Sequence, residues 1–204
     1  MTVWRERFAS WMETPQPAAL VAASVFFDLR PVAGDPELGG ALWRWVCSRA
    51  PSRTLFLRHL AREALLREPG LGFFGRLRVA RSGAHRGRLD LKSRGIFPVT
   101  QGIRVCALSL GLEETHTLDR LRGAAAHGLI GARAAEDLRG SYETVARLRL
   151  AHQLRCLDAG VQADNFLDPR WLGRADLLLL KDAFRTIAWF QRFVEDRFQT
   201  DTVV

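Results

Sequence analysis

Several polar residues fall where a helical protein would otherwise be apolar, and their types suit anion chemistry. Within the segment 132–159, Arg149, His152 and Gln153 interrupt an apolar stripe. In the segment 173–198, Lys181 and Arg185 stand one helical turn apart and so share a face. If the two segments are antiparallel neighbours, these side chains form a basic cluster suited to a phosphate or another anion. They equally suit a solvated face, or salt bridges to Asp158, Asp176 and Asp182. Asp90 and Lys92 alternate within one extended run, where they either clamp a polar ligand or face water. Asp28 and Arg30 close a very apolar segment; they read as an ion pair that orients the turn from Pro31 to Asp35, or as an interdomain contact. Arg104 lies in a segment that reads as a buried helix, so it needs a carboxylate, with Asp28 or Asp90 as candidates.

Self-sufficient catalytic chemistry is missing from the chain. Nucleotidyl transfer calls for a Gly-Ser turn followed by paired carboxylates that hold magnesium. Gly39-Gly40 is followed by ALWRWVC, without the acids. No phosphate-binding loop, HExxH or GxSxG pattern occurs, and the histidines are scattered. Cys47, Cys106 and Cys156 are far apart, with no CxxC pair, which favours reduced, mostly buried thiols over a disulfide framework or a zinc site. The expectation is therefore no catalytic residue and no metal ligand in this chain.

The elements that would position these side chains are mostly helical. Trp4, Phe8, Trp11 and Met12 give residues 1–14 an amphipathic period, and Ala18 to Arg30 reads as an apolar helix. Asp35-Pro36-Glu37 is a helix start, a capping carboxylate followed by proline. The helix it opens runs through Leu38, Leu42, Trp45 and Val46. A further helix after Pro51-Ser52 turns Leu55, Leu57, Leu60, Ala64 and Leu65 inward and stops before Pro69. Later helices cover Val99 to Leu110, closed by Gly111, and Leu118 to His127, capped by Thr115 or Thr117. Ala132 to Ala159 carries the stripe Leu138, Tyr142, Val145, Leu148 and Leu154, and a last helix spans Gly173 to Phe198. Trp43, Trp45, Trp171 and Trp189 read as packing residues and not as base-stacking platforms.

One stretch departs from this pattern. From Gly70 to Arg104, Leu77 and Val79 alternate with Arg76, Arg78 and Arg81, and Leu89 and Leu91 alternate with Arg88, Asp90 and Lys92. Ser82 to Gly87 lies between them as a glycine-bracketed turn, so residues 76–92 read as a β-hairpin laid on the helices. The fold class expected is mainly α: a helical bundle with one inserted β-hairpin. It is read as a single domain over 1–204, with N-terminal helices (1–30), a helical part (35–68), the glycine-rich hairpin (70–98) and a C-terminal bundle (99–198).

The chain has 204 residues, 48% of them hydrophobic, enough for a real core. No apolar run approaches a membrane span and the N-terminus lacks a signal-peptide core, so a cytoplasmic protein is expected. The net charge of +8 points to an acidic partner. Lys92 and Lys181 are the only lysines, and the arginines are dispersed, so nucleic-acid binding is not favoured.

Five segments in order complete the picture: FFDLRPVAGD (Phe26 to Asp35), the stretch from Leu71 to Arg104, THTLDRLR (Thr115 to Arg122), LRLAHQL (Leu148 to Leu154) and LLKDAFRTI (Leu179 to Ile187). Together they resemble the C-terminal substrate-binding domain of bacterial signal-transduction nucleotidyltransferases. That family is associated with CBS and cyclic-nucleotide-binding domains and is related to PII uridylyltransferase and glutamine-synthetase adenylyltransferase. The resemblance runs from about Trp4 to Phe198. His116 and Ala151 depart from the family pattern.

The resemblance implies an accessory, regulatory domain that recognises the acceptor or completes the nucleotide cleft. Catalysis, with magnesium and a nucleoside triphosphate, would belong to an upstream nucleotidyltransferase domain or a separate catalytic subunit. The Gly-Ser and paired-acid motif would lie before Met1. It further implies that Asp90, Lys92, Arg104, Arg149, His152, Lys181 and Arg185 converge on one cleft. The alternative is a regulatory interaction module that docks through an apolar helical surface, with the helix Trp4 to Met12 as its arm. An acceptor protein or a second copy of the chain is then the partner.

Overall fold

The computed structural model describes residues 1–15 and 24–202. Seven α-helices are present among them: α1 (Thr2–Glu13), α2 (Pro36–Arg49), α3 (Thr54–Leu65), α4 (Phe97–Ser109), α5 (Thr117–Ala126), α6 (Ala132–Asp158) and α7 (Arg174–Phe198). One small antiparallel sheet pairs β1 (Leu89–Asp90) with β2 (Phe166–Leu167). The fold is mainly α with a single β element, as the periodicity predicts. Of the apolar helix expected from Ala18 to Arg30, residues 18–23 lie outside the described residues, and Ser24–Asp28 forms a 3-10 turn. None of the described helices is long and apolar enough to cross a membrane.

The chain packs as two compact units. The first comprises Met1–Ala64, Thr100–Ala132 and Val194–Val204. Its core contains three fully buried rings: Phe8 meets Phe27 edge-on at 5.1 Å, and Phe27 meets Phe56 at 4.6 Å. Such ring pairs add about 0.5–1.5 kcal/mol each beyond the area they bury. The start of α2 follows its sequence: the Asp35 carboxylate accepts from the Glu37 N–H at 2.9 Å, with Pro36 at the first helical position. Phe56, Leu57, Leu60, Ala61 and Ala64 form the buried stripe of α3, whereas Leu55, expected inward, is exposed. Trp43 is buried, with its indole N–H donating to the Glu113 carbonyl at 2.7 Å. At the start of α5 neither threonine is the cap; His116 holds that position and makes no side-chain capping bond.

The second unit comprises Leu65–Val99 and Arg133–Phe193. Here the glycine-rich stretch differs from the expected hairpin over 76–92: its first run forms no strand, and its second pairs with β2 instead. The chain does fold back across Ser82–Gly87: Ala80 N–H donates to the Arg88 carbonyl, and Gly87 N–H to the Ala80 carbonyl, each at 2.8 Å. Leu77 forms only an isolated bridge with Leu71, while Leu89 and Asp90 pair with Leu167 and Phe166. The reason is burial. Leu77 and Val79 stay half-exposed, so their alternation has no core face to serve, whereas Leu89 and Leu167 are both buried.

Lys92 is not on the strand at all. The chain leaves β1 into a π-helical turn, Lys92–Ile96, that runs straight into α4. Gly95 in this turn is a close-approach residue: a Cβ there would lie 2.6 Å from Val145 Cγ1 and 3.4 Å from the Phe184 ring. Gly70 is pressed against the same Phe184 ring, with no room for a methyl group. On α6, Leu138, Val145 and Leu148 are buried as expected. Leu154 is not: with Leu150 and Leu157 it forms an exposed apolar stripe. Trp171 is half exposed, unlike the packing role its sequence context predicts, whereas Trp189, partly exposed, stacks on the Phe193 ring.

Candidate functional site

Four polar residues at helical spacing, Arg149, His152, Gln153 and Cys156, occupy one side of α6. After α6 ends, the chain returns past them, and the segment before β2 supplies their partners. Arg149 Nε donates to Asn165 Oδ1 at 2.5 Å, and Gln153 Nε2 approaches the same oxygen at 3.4 Å. His152 is buried, and its Nε2 lies 2.6 Å from Asp164 Oδ1. A carboxylate only accepts, so Nε2 carries the proton in this contact. The Cys156 sulfur lies 3.6 Å from the same nitrogen. Asp164 Oδ1 also accepts from the Phe166 N–H at 2.8 Å. Burial alone pulls the Asp164 carboxyl up, but the His152 and Phe166 hydrogen bonds outweigh it and leave it below the usual carboxylate range.

The same segment reaches the glycine-rich stretch. Leu91 N–H donates to the Asn165 carbonyl at 3.0 Å, continuing the β1–β2 ladder. The His85 ring stacks on Phe166 with centroids 3.6 Å apart, and His85 Nδ1 and Arg88 Nη1 each lie 3.9 Å from Asp164 Oδ2. Beyond β2, Asp168 caps a 3-10 turn by accepting from the Arg170 N–H and pairing with its guanidinium at 2.6 Å. That pairing holds the Asp168 carboxyl at about 2.

Beside this centre lies a cleft of about 310 Å³, walled by Arg67, Glu68, Arg88, Asp90, Ser93 and Arg94, with Phe166 on its side. Asp90 is held by accepting from the Ser93 N–H at 2.9 Å. Arg94 Nη1 donates to the Glu68 carbonyl at 3.2 Å, and the Glu68 carboxylate pairs with Arg78 at 2.5 Å. A wider groove of about 680 Å³ shares Glu68, Ala80 and Arg94 with the cleft. Arg76, Arg78 and Arg81 line it, together with the fully exposed ring of Phe74. Arg67, Arg76, Arg78, Arg81, Arg88 and Arg94 thus wall two adjoining concavities, with Glu68 and Asp90 as the carboxylates that line them.

The seven residues expected in one cleft are distributed otherwise. Arg149 and His152 meet at the Asp164–Asn165 segment. Asp90 adjoins it through its ladder partner Phe166 and lines the cleft. Lys92 is exposed on the π-helical turn, and Lys181 is half-buried on α7; no described hydrogen bond or ion pair joins either to the others. Arg185 is exposed and pairs with Asp182, the salt-bridge alternative. Arg147, not Arg149, takes Asp176, at 2.8 Å.

Arg104 belongs to the first unit. It donates from Nη2 to Asp28 Oδ2 at 3.0 Å and from Nη1 to Gln101 Oε1 at 2.9 Å. Arg120, also buried, donates to the other Asp28 oxygen at 2.6 Å and to the Glu114 carbonyl at 2.6 Å. Asp28 was therefore the right candidate carboxylate for Arg104. It is not the partner of Arg30, which is exposed. Arg94, Asp164 and Asn165 carry no signal of their own in the sequence; the arginine alternation from Arg76 to Arg81, with Arg88 in the second run, is the legible trace of the cleft.

No curated protein and no solved structure matches the chain. A family model described as "putative nucleotidyltransferase substrate binding domain" matches residues 54–198. This span takes in α3, the arginine-walled cleft, the whole of α6 and its returning segment, and α7. The chain belongs to the family of nucleotidyltransferase substrate-binding domains described by that model.

Proposed function

We propose that this chain acts as the accessory substrate-recognition part of a nucleotidyltransferase, and that the arginine-walled cleft of the second unit holds the anionic portion of the nucleotide or acceptor. The observation that carries the reading is the concentration of Arg76, Arg78, Arg81, Arg88 and Arg94 around two adjoining concavities with few carboxylates. Guanidinium groups present paired donors that match phosphate oxygens, and their charge does not depend on pH in the working range. Asp90, fixed by Ser93, supplies an acceptor within the cleft for a hydroxyl or amino group of the ligand. Magnesium and the carboxylates that hold it belong to a catalytic domain, consistent with the absence of a Gly-Ser and paired-acid motif from this sequence.

The test is calorimetric titration of the chain with ATP, UTP and cyclic nucleotides, with and without magnesium, at two salt concentrations. Saturable binding is expected, weakening with salt, and Arg88→Ala with Arg94→Ala should reduce it by at least tenfold, about the 1.5–3 kcal/mol of one charge-assisted hydrogen bond. Equal binding by the double variant would remove the cleft from the mechanism.

A second reading has its own observation. Leu150, Leu154 and Leu157 are 57%, 51% and 62% exposed along one side of α6, and Val3 and Trp4 are exposed on α1. These surfaces suit docking on a catalytic subunit, an acceptor protein or a second copy. Self-association that Leu154→Glu abolishes would favour this reading.

A further inference from the structure

We propose that His152, Cys156 and Asp164 form a binding site for a divalent transition-metal ion of the zinc type. This goes beyond the recognition role of the cleft and does not depend on it. His152 and Cys156 lie one turn apart on α6, and Asp164 comes from the returning segment. One donor atom from each, an imidazole nitrogen, a thiol sulfur and a carboxylate oxygen, lies within 4.8 Å of the others.

The distances suit an ion. Zinc bonds of about 2.0–2.3 Å in a tetrahedron place nitrogen and sulfur about 3.5 Å apart, and nitrogen and oxygen about 3.3 Å apart. The His152 Nε2 to Cys156 Sγ separation is already 3.6 Å. The Nε2 to Asp164 Oδ1 separation is 2.6 Å, so the carboxylate would withdraw by roughly 0.7 Å to reach the tetrahedral value.

The directions exclude the main competing reading. In a Cys–His–Asp nucleophile the thiol and the carboxylate address opposite ring nitrogens, so that the carboxylate orients the base. Here both address Nε2, while Nδ1 is buried with no hydrogen-bond partner. Three ligand atoms that converge in this way can take up a cation in place of the Nε2 proton. A mixed nitrogen, sulfur and oxygen set favours zinc over magnesium or calcium, which take oxygen ligands. Asp164 is held for the task by the Phe166 N–H, the outer-shell support that fixes a metal-binding carboxylate.

On binding, the thiol would lose its proton to solvent. The imidazole proton would move from Nε2 to Nδ1, leaving Nε2 as ligand. Three protein ligands leave a fourth position for water. The ion would tie the segment that carries β2 to α6 and so stiffen the cleft wall at Phe166. Cys47 and Cys106 do not compete, because burial pushes both thiols up to about 12.

The test uses the full chain, reduced and metal-free, titrated with Co²⁺ and then Zn²⁺. The expected result is a thiolate-to-cobalt charge-transfer band with the visible absorption of a tetrahedral site, displaced by Zn²⁺. Cys156→Ser should abolish the charge-transfer band, and Asp164→Asn should weaken Zn²⁺ binding by at least tenfold, the lower end of the roughly 10–100-fold lost with an outer-shell partner alone. Cys47→Ser and Cys106→Ser should leave the spectrum unchanged. Absence of a thiolate band in the wild-type chain, or its persistence in Cys156→Ser, would overturn the proposal. Should a variant fail to fold by circular dichroism, alkylation of the wild-type chain decides. Zn²⁺ must then protect Cys156, the partly exposed thiol, and equal labelling with and without Zn²⁺ refutes the site. A failed nucleotide titration would not alter this result.

Discussion

Asp28→Ala should be among the most destabilising single changes in the first unit. The Asp28 carboxylate is shared: Arg104 approaches one oxygen at 3.0 Å and Arg120 the other at 2.6 Å. Arg104 is 9% exposed and Arg120 2%, so neither guanidinium can turn to water for solvation. Burial depresses the Arg104 pKa, Asp28 raises it and Arg120 lowers it further, so the carboxylate separates two like charges. Both arginines keep other acceptors, Gln101 and the Ser24 carbonyl for Arg104 and the Glu114 carbonyl for Arg120. The loss is therefore mainly electrostatic. Breaking a buried pair by removing one partner costs about 3–5 kcal/mol, and the partial exposure of Asp28 argues for the lower end, about 3 kcal/mol. Asp28→Asn keeps an acceptor oxygen and should cost less. Arg104→Met leaves the Asp28–Arg120 pair intact, and in the Asp28→Ala background it should recover part of the loss, giving a coupling of about 1–3 kcal/mol. Urea unfolding followed by circular dichroism at neutral pH measures all four. A loss below about 1 kcal/mol for Asp28→Ala, or additive effects in the double variant, would refute the shared-carboxylate reasoning.

Gly70→Ala and Gly95→Ala should each cost about 1–3 kcal/mol in the same assay, because each new methyl meets a packed side chain, the Phe184 ring for Gly70 and Val145 and Phe184 for Gly95. Loss of less than about 0.5 kcal/mol would show that the contact relaxes freely. Asp168 should shape the acid limb of stability: the Arg170 side chain and backbone N–H lower its pKa from 3.8 to about 2 in the folded chain. A carboxyl so depressed stabilises fully above pH 3.8, and this contribution declines as the pH falls and is gone below about 2. Asp168→Asn should therefore flatten the acid unfolding profile between about pH 4 and 2; an unchanged limb would count against it.

Helices were legible in the sequence because each carries its own period and punctuation. The Asp35-Pro36-Glu37 start is a local device, and the structure forms it with the expected capping bond. The β element was legible only in part, since turn residues between 82 and 87 announce a reversal, but a strand's partner is a long-range choice. Asp90 pairs with Phe166, 76 residues away, because the buried faces of Leu89 and Leu167 meet. No period within the segment 76–92 contains that information. The outward turn of Leu154 was hidden for a related reason: a helical stripe shows which residues share a side, not where the covered part of that side ends.

Polar residues followed a similar division. The need of Arg104 for a carboxylate could be stated from an apolar context alone, and Asp28 could be named as a candidate. Its second arginine, Arg120, could not, because α5 gives no sign that one of its two arginines is buried while Arg122 pairs with Asp119 at the surface. On α6, helical spacing gathers Arg149, His152, Gln153 and Cys156, but their chemistry depends on what faces them. Asp164 and Asn165 lie in a segment whose composition reads as an ordinary polar linker. Folded against α6, it accepts a hydrogen bond from Arg149, places a carboxylate against His152 beside a thiol, and pairs β2 with β1 at the edge of the arginine cleft. The linker thus bonds to both α6 and the glycine-rich stretch, and the Asp164 carboxylate that faces His152 also holds the Phe166 N–H at the cleft wall.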